Sequence, residues 1–123
     1  NLLTGEIPND IGNLYYLEYL LLNQNQFSGE LPNSIYGLIN IRWLYLDDNN
    51  FTGNISESID DLGLIAQETT LSLNNNMFSG LIPTQICGFG GNYVYVNSNQ
   101  FCPPYPDCIS QNDIDSQDTS NCP

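Results

Sequence analysis

Short apolar alternations recur along this chain: Leu20-x-Leu22, Leu44-x-Leu46, Leu71-x-Leu73 and Val94-x-Val96. Each reads as a brief strand with one buried face. The same frame runs past each strand. Asparagines fall at Asn1, Asn25, Asn49, Asn76 and Asn99, in steps of 24, 24, 27 and 23 residues. Behind them come Phe27, Phe51, Phe78 and Phe101, then Gly29, Gly53 and Gly80. A further column holds Ile7-Pro8, Leu31-Pro32, Ile82-Pro83 and Tyr105-Pro106, with Ile55-Ser56 as the exception. Ile11, Ile35, Ile59, Ile86 and Ile109 make another, and Leu14, Leu38, Leu62 and Phe89 a last. Self-similarity at such a period marks stacked coils, each too small to bury its own apolar face. The strands are therefore predicted to lie side by side in a parallel sheet, with one crossover per repeat.

Each column has a physical task. The asparagine sits where the chain leaves the strand and turns inward, and a buried amide must be paired. One carboxamide both donates and accepts, so Asn25, Asn49, Asn76 and Asn99 are expected to form a ladder between adjacent turns. The phenylalanines are expected to stack beside it as an aromatic spine. The glycines supply permissive backbone and the prolines fix the bend that follows.

The stretch Leu17 to Ile35 follows L-x-x-L-x-L-x-x-N-x-F-S-G-x-I-P-x-x-I, allowing Leu31 for the isoleucine. It resembles the plant-type leucine-rich repeat of receptor-kinase ectodomains and polygalacturonase-inhibiting proteins. The resemblance covers residues 1 to about 109. It implies a leucine-rich repeat solenoid of about four coils, with short parallel strands on a concave face. A second short sheet near G-x-I-P and an irregular, 3-10-rich convex side belong to the same expectation. The function it implies is recognition of proteins, peptides or glycans outside the cell, one branch being inhibition of secreted wall-degrading hydrolases. The long step of 27 places Ala66-Gln67-Glu68 where Leu17 and Ile41 stand in other coils, so three inserted residues and a bulge before Thr70 are expected. Because Asn1 already occupies the ladder column, further repeats are expected upstream.

Cys87, Cys102, Cys108 and Cys122 all lie in the last third. Their gaps of 15, 6 and 14 residues do not match zinc spacing. Two disulfides closing a terminal cap account for them, and imply an oxidising compartment. The chain is accordingly divided into repeats over 1–86, and a last repeat with its cap and acidic tail over 87–123. Phe101-Cys102-Pro103-Pro104-Tyr105-Pro106-Asp107-Cys108 is similar to the family's cap motif, which implies Cys102–Cys108 and hence Cys87–Cys122. Cys87 and Cys108 also fall at nearly the same place in consecutive coils, which leaves Cys87–Cys108 with Cys102–Cys122 equally open. Asp113 and Asp115 lack the glycine and distal glutamate of an EF-hand loop, so the run after Cys108 reads as a solvated tail.

Composition removes whole classes of function. The chain of 123 residues carries 14 Asp or Glu against one Arg, with no Lys and no His, for a formal charge of −13. One arginine cannot neutralise a row of phosphates, so nucleic acid is not an expected partner. Without histidine or lysine there is no catalytic triad, imidazole metal site, Schiff base or P-loop. No apolar run approaches the length of a membrane span. Nothing calls for a cofactor. An enzyme would have to use carboxylates alone, and Glu18, Asp47 and Asp48 are the acids expected near one another; an open solenoid surface offers them no dry cleft.

If the repeated leucines point inward, the residues between them face outward. This exposes Tyr19, Leu21, Trp43, Tyr45, Tyr93 and Tyr95, with Asp47 and Asp48 beside them. Trp and Tyr are enriched at binding hot spots, so this strip is the candidate ligand surface for a protein, peptide or glycan. The acids favour a basic or hydroxyl-rich partner. Aromatics also suit strands on propensity alone. Asn50-Phe51-Thr52 and Asn54-Ile55-Ser56 match the N-glycosylation acceptor pattern, though such tripeptides arise by chance in a chain this rich in Asn and Ser.

Overall fold

The computed structural model describes residues 2–64, 68–89 and 93–123. Among these residues β2 (Tyr19–Leu21), β4 (Trp43–Tyr45), β6 (Thr70–Ser72) and β8 (Tyr93–Tyr95) form one parallel sheet in that order. A second parallel sheet runs β1 (Thr4–Gly5), β3 (Gln26–Glu30), β5 (Asn50–Gly53), β7 (Met77–Gly80) and β9 (Gln100–Phe101). Neighbours in each sheet are one coil apart in sequence, the topology of a leucine-rich repeat solenoid. The 3-10 turns Asn9–Asn13, Asn33–Gly37, Glu57–Asp61 and Thr84–Phe89 return the chain to the first sheet.

The space between the sheets is filled by the repeated columns. Leu44 and Leu71 are buried from the strands, Leu46, Leu73 and Val96 from the residues that directly follow them, and Ile35, Ile59 and Ile86 from the turns. Phe27, Phe51, Phe78 and Phe101 stack at 6.1, 6.0 and 6.4 Å between successive ring centroids. Burying each such side chain contributes about 2–3 kcal/mol. Among the described residues β2 pairs with β4 alone; Leu20, Leu22 and Phe27 are half-buried and Leu14 is exposed, unlike Leu38, Leu62 and Phe89 of its column.

The asparagines bridge coils. Asn76 Nδ2 donates to the carbonyls of Leu46 (2.9 Å) and Leu73 (3.2 Å), and its Oδ1 accepts from the Phe51 N–H (3.0 Å). Asn49 and Asn99 repeat the arrangement one coil to either side. Ser56, standing where other coils have proline, keeps an N–H that proline lacks. The Tyr36 hydroxyl accepts it at 3.1 Å, and Ser56 Oγ in turn caps the Ser58 N–H. Burial pushes the Tyr36 hydroxyl above its ordinary pKa. The insertion expected at Ala66-Gln67-Glu68 falls largely on residues 65–67, outside those described; Glu68 itself has a left-handed φ of 63°.

The C-terminal region takes one of the two disulfide pairings left open and departs from expectation after Cys108. Cysteines pair as Cys87–Cys108 and Cys102–Cys122, with Cα separations of 5.6 and 5.7 Å. The pairing implied by the family motif, Cys102–Cys108 with Cys87–Cys122, does not form, because stacking places Cys87 and Cys108 over one another at the same point of successive coils. The run after Cys108 is not a free tail. It folds as the helix α1 (Gln111–Asp115), capped by Ser110, and returns to the end of the solenoid. There Gln117, only 8% exposed, donates to the Val96 carbonyl (3.0 Å) and accepts from the Phe101 N–H (3.2 Å). A glutamine thus occupies the next rung of the asparagine ladder. Asp113 lies in the first turn of α1, where burial raises its carboxyl pKa against the opposing pull of Ser110.

Candidate functional site

Register in the four-stranded sheet lines up the outward residues. Tyr19, Trp43, Thr70 and Tyr93 form one row, and Leu21, Tyr45, Ser72 and Tyr95 the next. Inward positions in the same strands are all aliphatic, as the core demands. Outward positions are free to vary, and here they carry large rings in three coils of four.

The rings touch. Tyr19 meets Trp43 edge-on at 4.7 Å, and Trp43 stacks on Tyr45 at 6.1 Å. Tyr93 and Tyr95 stack at 6.5 Å. Trp43 is 40% exposed, Tyr93 60% and Leu21 51%, so this is open apolar surface rather than core. The surface is two islands, not one strip. Thr70 and Ser72 separate them, and Ser72 is itself buried although it faces outward. Its short side chain lies below the level of Tyr45 and Tyr95 on either side, and its hydroxyl donates to Asn74 Oδ1 at 2.7 Å. The alternation of faces was legible in the sequence; the notch made by a small residue between two tyrosines was not.

Asp47 and Asp48 follow β4 at the C-terminal end of the strands, half-buried beside Tyr45. Asp48 adopts a left-handed φ of 55°, as Gln24, Asn75 and Ser98 do at 57° in their coils. The Asp47 carboxyl is raised chiefly by burial, the Ser72 hydroxyl pulling the other way and the Asp48 charge adding to the rise. Glu18 does not join them. It stands before Tyr19, in register with Arg42, at the opposite end of the strands. Five residue steps of extended chain lead from Arg42 to Asp47, roughly 16 Å, beyond the reach of a paired-carboxylate mechanism. The expected cluster of three acids is therefore two.

A groove of about 580 Å³ opens at that other end, lined by Tyr16, Glu18, Ile39, Asn40, Arg42 and Gly63. It holds the only basic side chain of the sequence and adjoins Tyr19 and Trp43. Tyr16 is 77% exposed, its ring tilted by 43° against that of Tyr15 at 4.3 Å. These residues lie outside the strand pattern, which is why periodicity passes over them. Exposed aromatic residues just ahead of a strand were the available signal. Among the described residues no group of three or more metal-ligating side chains comes together, and no helix is long and apolar enough to cross a membrane.

Comparison with known proteins gives the arrangement a setting. The leucine rich repeat family model matches residues 16–38, 40–62 and 69–89, more than half of the chain. No curated protein sequence matches it. Among solved structures, the Arabidopsis receptor kinase HAESA, in complex with the peptide hormone IDA and the co-receptor SERK1, is 32% identical with a TM-score of 0.76, covering 84% of this chain and 17% of that one. The PEPR1–AtPEP1 structure is also 32% identical, with a TM-score of 0.74 over 84% of this chain and 14% of that chain. The BIR3–SERK2 complex from Arabidopsis thaliana is 26% identical, with a TM-score of 0.73 over 89% and 60%. The chain thus spans 14% and 17% of the two receptors' lengths. Its repeat columns, its two parallel sheets and the family match agree: this chain belongs to the leucine-rich repeat family.

Proposed function

We propose that this chain is part of an extracellular, non-catalytic recognition module, and that it binds a protein or peptide on the outer face of its four-stranded sheet. The observation that carries this reading is the pair of exposed aromatic islands, Tyr19/Leu21/Trp43/Tyr45 and Tyr93/Tyr95, set on a sheet whose inward positions are monotonous. Large rings cost little conformational entropy when ordered by a partner and desolvate a wide area, which is why they act as anchors. Asp47 and Asp48 beside the first island, on a chain of net charge −13, favour a partner bearing positive charge there. The solved relatives support the same reading, since HAESA is seen with a peptide hormone and a co-receptor, and BIR3 with SERK2. Two disulfides support an oxidising, extracellular setting.

The test is selection from a random peptide library on the immobilised, oxidised protein, with counter-selection on the Trp43→Ala/Tyr45→Ala variant. Peptides enriched for Lys or Arg that bind the native protein and lose at least tenfold on the variant support the proposal. Peptides that bind both equally, or no enrichment at all, overturn it and leave a scaffold segment as the better account.

A further inference from the structure

Adjacent asparagines, Asn49 just before β5 and Asn50 at its start, behave in opposite ways. Asn49 is buried with its carboxamide fully bonded, whereas Asn50 is exposed and its carboxamide finds no hydrogen-bond partner among the described residues. In the repeat frame Asn50 shares its column with Gln26 and Met77, also exposed, so the fold asks nothing of an asparagine there. With Phe51 and Thr52 it completes an Asn-x-Thr tripeptide. We propose that Asn50 is an N-glycosylation site, carrying an oligosaccharide on the flank formed by the five-stranded sheet.

The second tripeptide of this kind is placed differently. The Asn54 carboxamide lies across Gly80 of the next coil, on a glycine whose φ of 76° and lack of a Cβ make the room. Ser56, its third residue, is committed to Tyr36 and Ser58. Asn54 is thus packed against the next coil, whereas Asn50 makes no such side-chain bond among the described residues. The disulfides supply the second, independent observation: all four cysteines are paired, so the chain passes through an oxidising compartment, where lipid-linked oligosaccharide donors also act in eukaryotic secretion.

The transfer balances simply. Asn50 Nδ2 attacks the anomeric carbon of the first sugar of a polyprenyl-diphosphate-linked oligosaccharide. The new C–N bond forms as the anomeric C–O bond breaks, the diphosphate leaves with the electron pair, and Nδ2 gives up one proton. Timing follows from packing. Phe51 is fully buried between Phe27 and Phe78, so a transferase reads this tripeptide only while the chain is extended, before the coil closes. The finished glycan covers the Met77 side of the molecule. It leaves the aromatic islands open, because they belong to the other sheet.

The experiment is secretion of the wild-type chain and the Asn50→Gln and Asn54→Gln variants from a eukaryotic line. Peptide-N-glycosidase treatment in heavy-oxygen water then marks each released site as labelled aspartate for mass spectrometry. Label at residue 50 of the secreted wild type, with a glycan lost in Asn50→Gln and kept in Asn54→Gln, is expected. An unlabelled residue 50 in the secreted wild type overturns the proposal. That readout comes from the wild type itself and does not depend on either variant folding.

Discussion

At the residue scale, the structure distinguishes side chains that hold coils together from those that only complete a surface. Asn76 satisfies two buried carbonyls and one buried N–H, all backbone groups that water cannot reach. Asn76→Ala strands the Phe51 N–H and removes one of the two asparagine bonds at each carbonyl, Asn49 and Asn99 keeping the others, and is expected to cost about 2–3 kcal/mol. Asn25→Ala, in the half-buried first coil, is expected to cost about 1 kcal/mol for the same reason. Urea unfolding of the two variants beside wild type measures the difference, and equal losses would contradict the ladder reading. Tyr36 and Ser56 offer a sharper test. Tyr36→Phe strands the Ser56 N–H and is expected to cost about 1–2 kcal/mol. Ser56 has φ −73° and ψ 151°, backbone that proline adopts without strain, and Ser56→Pro removes the N–H altogether. In the Ser56→Pro background the Tyr36→Phe cost should therefore fall by most of that amount, and a double-mutant cycle reads the coupling.

At the element scale, the repeats and the cap are legible to different degrees. Every column that recurs answers to a neighbouring coil that imposes the same constraint, so Asn49, Phe51 and Gly53 can be read from sequence once the frame is set. The cap is used once and has no frame. Gln117 takes the place of an asparagine, yet its chain arrives through α1 rather than from a strand, so no alignment of coils reveals it. For the disulfides the resemblance of the cap motif and the positions in the coil frame pointed to different pairings, and the structure takes the one that the coil frame offered, Cys87 with Cys108. The aromatic face was legible residue by residue from alternation. The buried Ser72, the distant Glu18 and the groove at Tyr16 and Arg42 were not, because each depends on the size or direction of neighbours in other coils. Gln117→Ala should strand the Phe101 N–H and leave the Val96 carbonyl with its Asn99 bond alone, lowering stability by about 1–3 kcal/mol. Hydrogen exchange should show lost protection in β9 first, with β3 and β5 little changed, if α1 caps the solenoid. Uniform loss would contradict that role.

At the scale of the whole molecule, acidity sets the terms on which the binding face operates. Burial raises the Asp47 carboxyl above its unfolded pKa, so the ionised form is the one the fold disfavours. The sign follows: a proton is bound more tightly in the folded state, and stability from this group rises as pH falls into the carboxylate range. Asp47→Asn should accordingly raise the melting temperature near pH 7, with the advantage shrinking as acid protonates the native aspartate. Thermal melts across pH check this. The same substitution should weaken binding of a basic peptide, which would make Asp47 a residue kept for recognition at the expense of stability.

Trp43 is the only tryptophan in the chain and stands at the centre of the larger aromatic island. Its fluorescence therefore reports on the proposed binding face directly. The decisive measurement is acrylamide quenching of Trp43 during titration with a peptide selected on the native protein. If that face is the recognition surface, quenching should fall severalfold at saturation, in step with the binding isotherm. Saturation with Trp43 as accessible to quencher as in the free protein would contradict the account.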